Sequence, residues 1–128
     1  MKKFRNPSTV HKPLAAYAHQ VEVPANGRWL LLSGQVGMTL SNEIPEKASE
    51  QFELALLNIV ENLKEAGMQV SDLTKLVFYM VEEVDGATRN EILKRTLGQH
   101  EPCMTLIYIV KLASPALKVE IDAWAFSE

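Results

Sequence analysis

The chain has one cysteine in 128 residues, Cys103, so no internal disulfide is available, and a lone free thiol points to a reducing compartment, with the cytoplasm as the expected location. It has no Lys/Arg-rich block, and its 13 basic against 16 acidic residues leave a net charge of -3. That balance argues against nucleic acid as a partner, because phosphate binding needs clustered positive charge. There is no apolar run of bilayer-spanning length, and the basic opening MKKF leads into RNPSTVHKP, so neither a membrane span nor a signal sequence is expected. The three histidines, His11, His19 and His100, have no second ligand at zinc spacing, so no metal is expected. No cofactor motif is present either: Ser33-Gly34-Gln35 lacks the frame of a nucleophile elbow, and Gly34 alone makes no phosphate loop. Repeats, low-complexity tracts and linkers are missing too, which leaves a single domain over 1–128.

What is present is enough apolar content, 47%, to build one core. Val21-Glu22-Val23 and Trp29 to Leu32, separated by the turn chemistry of Pro24-Ala25-Asn26-Gly27, predict a hairpin. A polar loop follows as far as Pro45. From about Glu46 to Ala66, residues Ala48, Phe52, Leu56, Ile59 and Leu63 recur at helical spacing, and Gly67 marks the end. Leu54 and Leu57 project from the opposite side, as exposed leucines or as a contact with another chain. Lys75 to Val81 predicts a strand apolar on both faces, and Asp85 is placed to cap a second helix reaching about Leu97. Two further strands are expected, from Met104 to Val110 and from Lys118 to Phe126.

This order predicts an α+β domain with two helices covering one face of a sheet. Strands apolar on both sides do not leave one side in water, so identical chains are expected to bury the second face.

Two places offer chemistry. Cys103 and His100 have the residue types of a thiol and base, but the pattern supplies no orienting carboxylate, and a lone cysteine usually packs. In the last strand Lys118, Glu120, Asp122, Trp124 and Phe126 share a face that mixes charge with large aromatics. A carboxylate there either sits at a solvated sheet edge or lines a cleft.

Tyr17, LLLSGQVGM at 30–38, SEQFELALLNIVENLKEAG at 49–67, DLTKLVFYMVE at 72–82, Asn90, EPCMTL at 101–106 and VEIDAWA at 119–125, in this order and spacing, resemble the Rid family. These are the reactive-intermediate (enamine/imine) deaminases, also called the translation initiation inhibitor or L-PSP endoribonuclease family. The resemblance implies a chorismate-mutase-like subunit in a barrel-like homotrimer, with a small-molecule cleft between neighbouring subunits. There, deaminase members hydrolyse an imino acid to a keto acid and ammonia. It assigns Tyr17, Ser33 and Glu120 to catalysis, and Met104, Thr105, Leu106, Gly34 and Trp124 to the ligand.

Met104 stands where the family has the arginine that grips the substrate carboxylate, and Leu106 where a cysteine is common. A thioether has no donors to replace a guanidinium. The expectation is therefore a cleft without its cation, hydrolysing a less charged and more apolar imine or enamine, or else binding a small metabolite without transforming it. Ribonuclease action fits the acidic charge poorly.

Overall fold

Two strands whose burial alternates over most of their length form the centre of the sheet, and everything else is arranged around them. The computed structural model describes residues 1–128. In chain order the elements are β1 (Lys3–Arg5), β2 (Gln20–Glu22), β3 (Arg28–Leu31), β4 (Gln35–Val36), α1 (Ala48–Glu65), a 3-10 turn (Val70–Asp72), β5 (Leu73–Met80), α2 (Gly86–Leu97), β6 (Cys103–Tyr108) and β7 (Val119–Ser127). The main sheet runs β3-β7-β5-β6, with β4 also paired to β7. Strands β5 and β6 are parallel, as a crossover through α2 requires, and β7 is antiparallel to its partners. The expected architecture of two helices over a mixed sheet is the one observed.

The register fixes which side chains share a face. Ala123, Leu76 and Met104 lie in one row across the sheet, and Glu120, Tyr79 and Ile107 in another. Since neighbours along a strand alternate, Met104 and Leu106 fall on the helix side with Leu76, Phe78 and Met80. Lys75, Val77, Tyr79, Thr105, Ile107, Glu120, Asp122 and Trp124 fall on the open side.

On the helix side the core is dry. Phe52, Leu56, Ile59 and Leu63 of α1 are buried against Leu76, Phe78, Val119 and Ile121, and the rings of Phe52 and Phe78 stack at 5.2 Å and 9°. Each such side chain contributes about 1.5–3 kcal/mol on burial. Gln51 is the polar exception. It is fully buried, yet it donates to the carbonyls of Pro45 and Ala116 at 2.8 and 3.0 Å and accepts from the Lys118 amide at 2.8 Å. It thereby ties the start of α1 to the entry of β7. Helix α2 begins where Asp85 accepts from the Thr88 amide at 2.9 Å, and Arg95 forks onto Glu53 of α1 at 2.8 and 2.7 Å. Both helices end at glycines in the left-handed region, Gly67 at φ 69° and Gly98 at φ 63°.

The expected hairpin does not form. Strand β2 pairs with β1, and β3 pairs with β7 across 28–31 and 124–127. The 24–27 turn instead connects two separate sheets. Long-range pairing wins because Leu30 fits beside Ala125 on the helix face, where its side chain meets the core. The open face keeps a mixed character: Leu31 is 67% and Ile107 41% exposed, beside the charges of Lys75, Glu120 and Asp122. Leu57 of α1 is also exposed, and Leu54 is half-buried.

Lys2 locks the amino terminus down. Its ammonium reaches Asp72 at 3.0 Å and the Phe126 carbonyl at 2.5 Å. Burial pushes the Asp72 carboxyl up, but the Gln69 amide, Lys2 and Arg28 outweigh it and hold the group below its ordinary value. A depressed folded-state pKa stabilises the fold above the unfolded value, about pH 4, and that contribution is lost as pH falls through the folded value. Thermal unfolding followed by circular dichroism should show a midpoint that drops over this acid window. The drop should be shallower in Lys2→Met, and an unchanged pH profile in that variant would contradict the pairing.

Candidate functional site

The segment around Cys103 opens β6, an edge strand of the sheet. Cys103 is half-buried, and burial pushes its thiol pKa up, with Lys75 opposing. His100 makes no hydrogen bond to it; its Nε2 donates to the Leu73 carbonyl at 2.8 Å, which fixes a proton on that nitrogen. Thiolate chemistry has no support here.

One residue further, the helix side of β6 borders a cavity of about 140 Å³. It is lined by Phe52 and Phe78, by Met104 and Leu106 of β6, by Arg89, Asn90 and Leu93 of α2, and by Ala15 and Tyr17. Tyr17 is held there by the loop between β1 and β2. The Ala18 amide donates to the Pro102 carbonyl at 3.2 Å, the His19 amide to Asn6 Oδ1 at 2.8 Å, and the Leu14 amide to the Tyr17 hydroxyl at 3.1 Å. The cavity adjoins a wider depression of about 650 Å³ that shares Asn90, Leu93 and Met104 and adds Lys94, His100 and Glu101.

A second cluster lies on the open face. The 33–38 segment is hung on α1: Asn58 donates to the Val36 and Met38 carbonyls at 3.0 and 3.1 Å, and Asn62 to Gln35 Oε1 at 3.1 Å. Val36 pairs with Glu120, so the Glu120 side chain lies over Gly34. A methyl group added at Gly34 would come within 2.7 Å of Glu120 Cδ and overlap its carboxylate. Ser33 is exposed beside it, and Tyr79 donates to Asp122 at 3.0 Å, which holds the Tyr79 phenol above its usual pKa. In Gly34→Ala, therefore, the carboxylate should be displaced with little loss of stability. Any activity that depends on Glu120 should fall at least about tenfold, and unchanged steady-state rates would show that its position is not critical.

The two clusters do not meet within one chain. Met104 and Glu120 are two strand spacings and three residues apart, about 14 Å between Cα atoms, and on opposite faces of the sheet. Tyr17, Met104 and Leu106 are brought together at the cavity; Ser33, Gly34 and Glu120 are brought together at β4 and β7. Thr105 joins neither. It faces the open side, where Lys75 donates to its hydroxyl at 2.8 Å. Trp124 lies four residues along β7 from Glu120, beside Trp29, Lys75 and Cys103.

The expectation of a cleft without a cation needs correcting. Arg89 lines the cavity together with Met104, and its Nη1 donates to the Val84 carbonyl at 2.6 Å. The basic groups His19 and Lys118 are engaged by other partners: His19 Nε2 is bonded to the His11 carbonyl at 2.7 Å, and Lys118 reaches the Glu46 carbonyl at 2.7 Å and Glu82 at 3.1 Å. The signal that points to Arg89 is its spacing with Leu93, i and i+4 on one face of α2, next to Asn90. No group of three His, Cys, Asp or Glu side chains converges as metal ligands would, and no helix is long and apolar enough to cross a membrane.

The chain is similar along almost its whole length to proteins with this fold. The Rid-family protein YyfB of Yersinia pestis superposes with a TM-score of 0.83 at 27% identity, covering 97% of each chain. TdcF of Escherichia coli K12, which bears the name of a candidate reactive intermediate deaminase, is 27% identical over 98% of this chain and 97% of its own. Its crystal structure, solved with bound serine, superposes with a TM-score of 0.71 at 25% identity over 98% and 99% of the two chains. The RutC family protein BU371 of Buchnera aphidicola is 30% identical over 91% of each. Residues 8–127 match the family described as endoribonuclease L-PSP, and the chain belongs to that family.

Proposed function

We propose that the protein hydrolyses a small reactive imine or enamine in a cleft between two copies of the chain, assembled as a homotrimer. The observation that carries this reading is the division of the candidate residues into two half-sites about 14 Å apart on opposite faces of one sheet. A ligand held by Tyr17, Met104 and Leu106 of one chain needs a carboxylate from elsewhere, and Glu120 of a neighbour, presented on an open face with exposed Leu31 and Ile107, supplies it.

The chemistry follows from the groups available. Water adds to the C=N carbon while the Glu120 carboxylate takes its proton and passes it to nitrogen, giving a carbinolamine. Glu120 then takes the hydroxyl proton and delivers it to nitrogen as the C–N bond breaks, giving the carbonyl product and ammonia. An enamine enters after protonation at carbon. On this reading Ser33 orients the water and Tyr17 covers the ligand. A relative that holds serine, TdcF, supports a ligand of amino-acid size.

The apolar wall of Met104, Leu106, Leu93 and the two phenylalanines selects the body of the substrate. An imine generated in situ from leucine by an amino-acid oxidase should therefore be hydrolysed faster than one from alanine, measured as release of keto acid and ammonia. Catalysis of neither would leave a non-hydrolytic binding protein. That second reading would be marked by stabilisation against heat by ligand without product.

A further inference from the structure

We propose that Arg89 is the anion anchor of the helix-side cavity, and that its ligand is a small molecule bearing a carboxylate on an apolar body. The inference rests on the reading of that cavity as the ligand-holding half-site.

A guanidinium has five N–H donors. Arg89 gives one bond to the Val84 carbonyl and pairs with no carboxylate, whereas Arg5 and Arg95 each take a glutamate. Its position one turn into α2 is not explained by helix stability, because the positive end of the helix dipole disfavours a cation there. The side chain is half-buried against a cavity whose other walls are Phe52, Phe78, Leu93, Met104 and Leu106, and no Asp or Glu lines it. In such surroundings a cation with unspent donors attracts an anion far more strongly than in water. The Asn90 amide and the Tyr17 hydroxyl are the polar groups left to meet the rest of the ligand. The volume, about 140 Å³, is close to that of apolar cavities of about 150 Å³ that hold a benzene ring, so the apolar body has about six heavy atoms.

The cation has thus moved from strand to helix rather than vanished. Position 104 contributes apolar surface, and the carboxylate is gripped by Arg89.

Calorimetric titration with 4-methyl-2-oxopentanoate and with its methyl ester tests this. The wild-type protein should bind the acid at least about tenfold tighter than the ester, the discrimination expected from one charge-assisted contact. Arg89→Gln should lose that preference while still binding the ester. Arg89→Lys should retain part of it. Arg89→Gln combined with Met104→Arg should regain it, because both positions border one cavity. Equal acid binding by wild type and Arg89→Gln, or no acid preference in the wild type, would overturn the inference while leaving the cavity as a ligand site. Binding of neither probe by the wild type would overturn the inference and the cavity reading together.

Discussion

Glu120→Gln is expected to lower imine turnover by about a hundredfold or more, the scale set by loss of a positioned general base. Glutamine keeps the size and the hydrogen-bonding reach of the side chain but takes no proton from water at neutral pH. The fold should be indifferent to the change, since Glu120 is half-buried on the open face and its neighbours in β7, Val119 and Ile121, carry the core contacts. Thermal midpoint and oligomeric state should therefore stay at wild-type values while the rate falls. Equal rates in the two proteins would remove Glu120 from the mechanism.

The second large effect is a gain. Met104→Arg should create affinity for small keto acids such as pyruvate, which lack the apolar body that fills the cavity. A fork of two N–H donors on a carboxylate contributes about 1.5–3 kcal/mol, so roughly tenfold to a hundredfold tighter binding is expected by calorimetry. Space is available: Met104 is half-exposed and borders the 650 Å³ depression as well as the smaller cavity. A calorimetric blank for pyruvate in Met104→Arg would show that position 104 does not face the ligand.

Much of this arrangement is legible in the residues, and the rest is not for identifiable reasons. The spacing of Ala48, Phe52, Leu56, Ile59 and Leu63 predicts α1, and all five are buried. Asp85 caps α2 as expected, and the alternation in 75–81 and 118–126 places the two central strands to within two residues. The partner of the Trp29 to Leu32 run was not readable locally. A run of leucines looks the same whether it closes a hairpin or reaches β7 nearly a hundred residues on, and only the finished register shows that Leu30 faces the core. Strand β1 is three residues with basic ends, too short for a period-2 pattern. For the site, the resemblance named the candidate side chains but not that Met104 and Glu120 lie on opposite faces. Parity across three strands decides that. Arg89 was hidden because α2 has few apolar residues, so its inward face is undefined until α1 is packed beside it.

The central claim is that one working site takes its cavity from one chain and its carboxylate from another. Co-refolding Glu120→Gln with Met104→Trp, whose indole fills the cavity, tests it most directly. Each variant alone should be nearly inactive with wild-type assembly. In an equimolar mixture, random assembly pairs an intact cavity with an intact Glu120 at about one interface in four, so about a quarter of wild-type activity should return. A mixture no more active than its components, with hybrid oligomers present by native mass spectrometry, would contradict a site shared between chains.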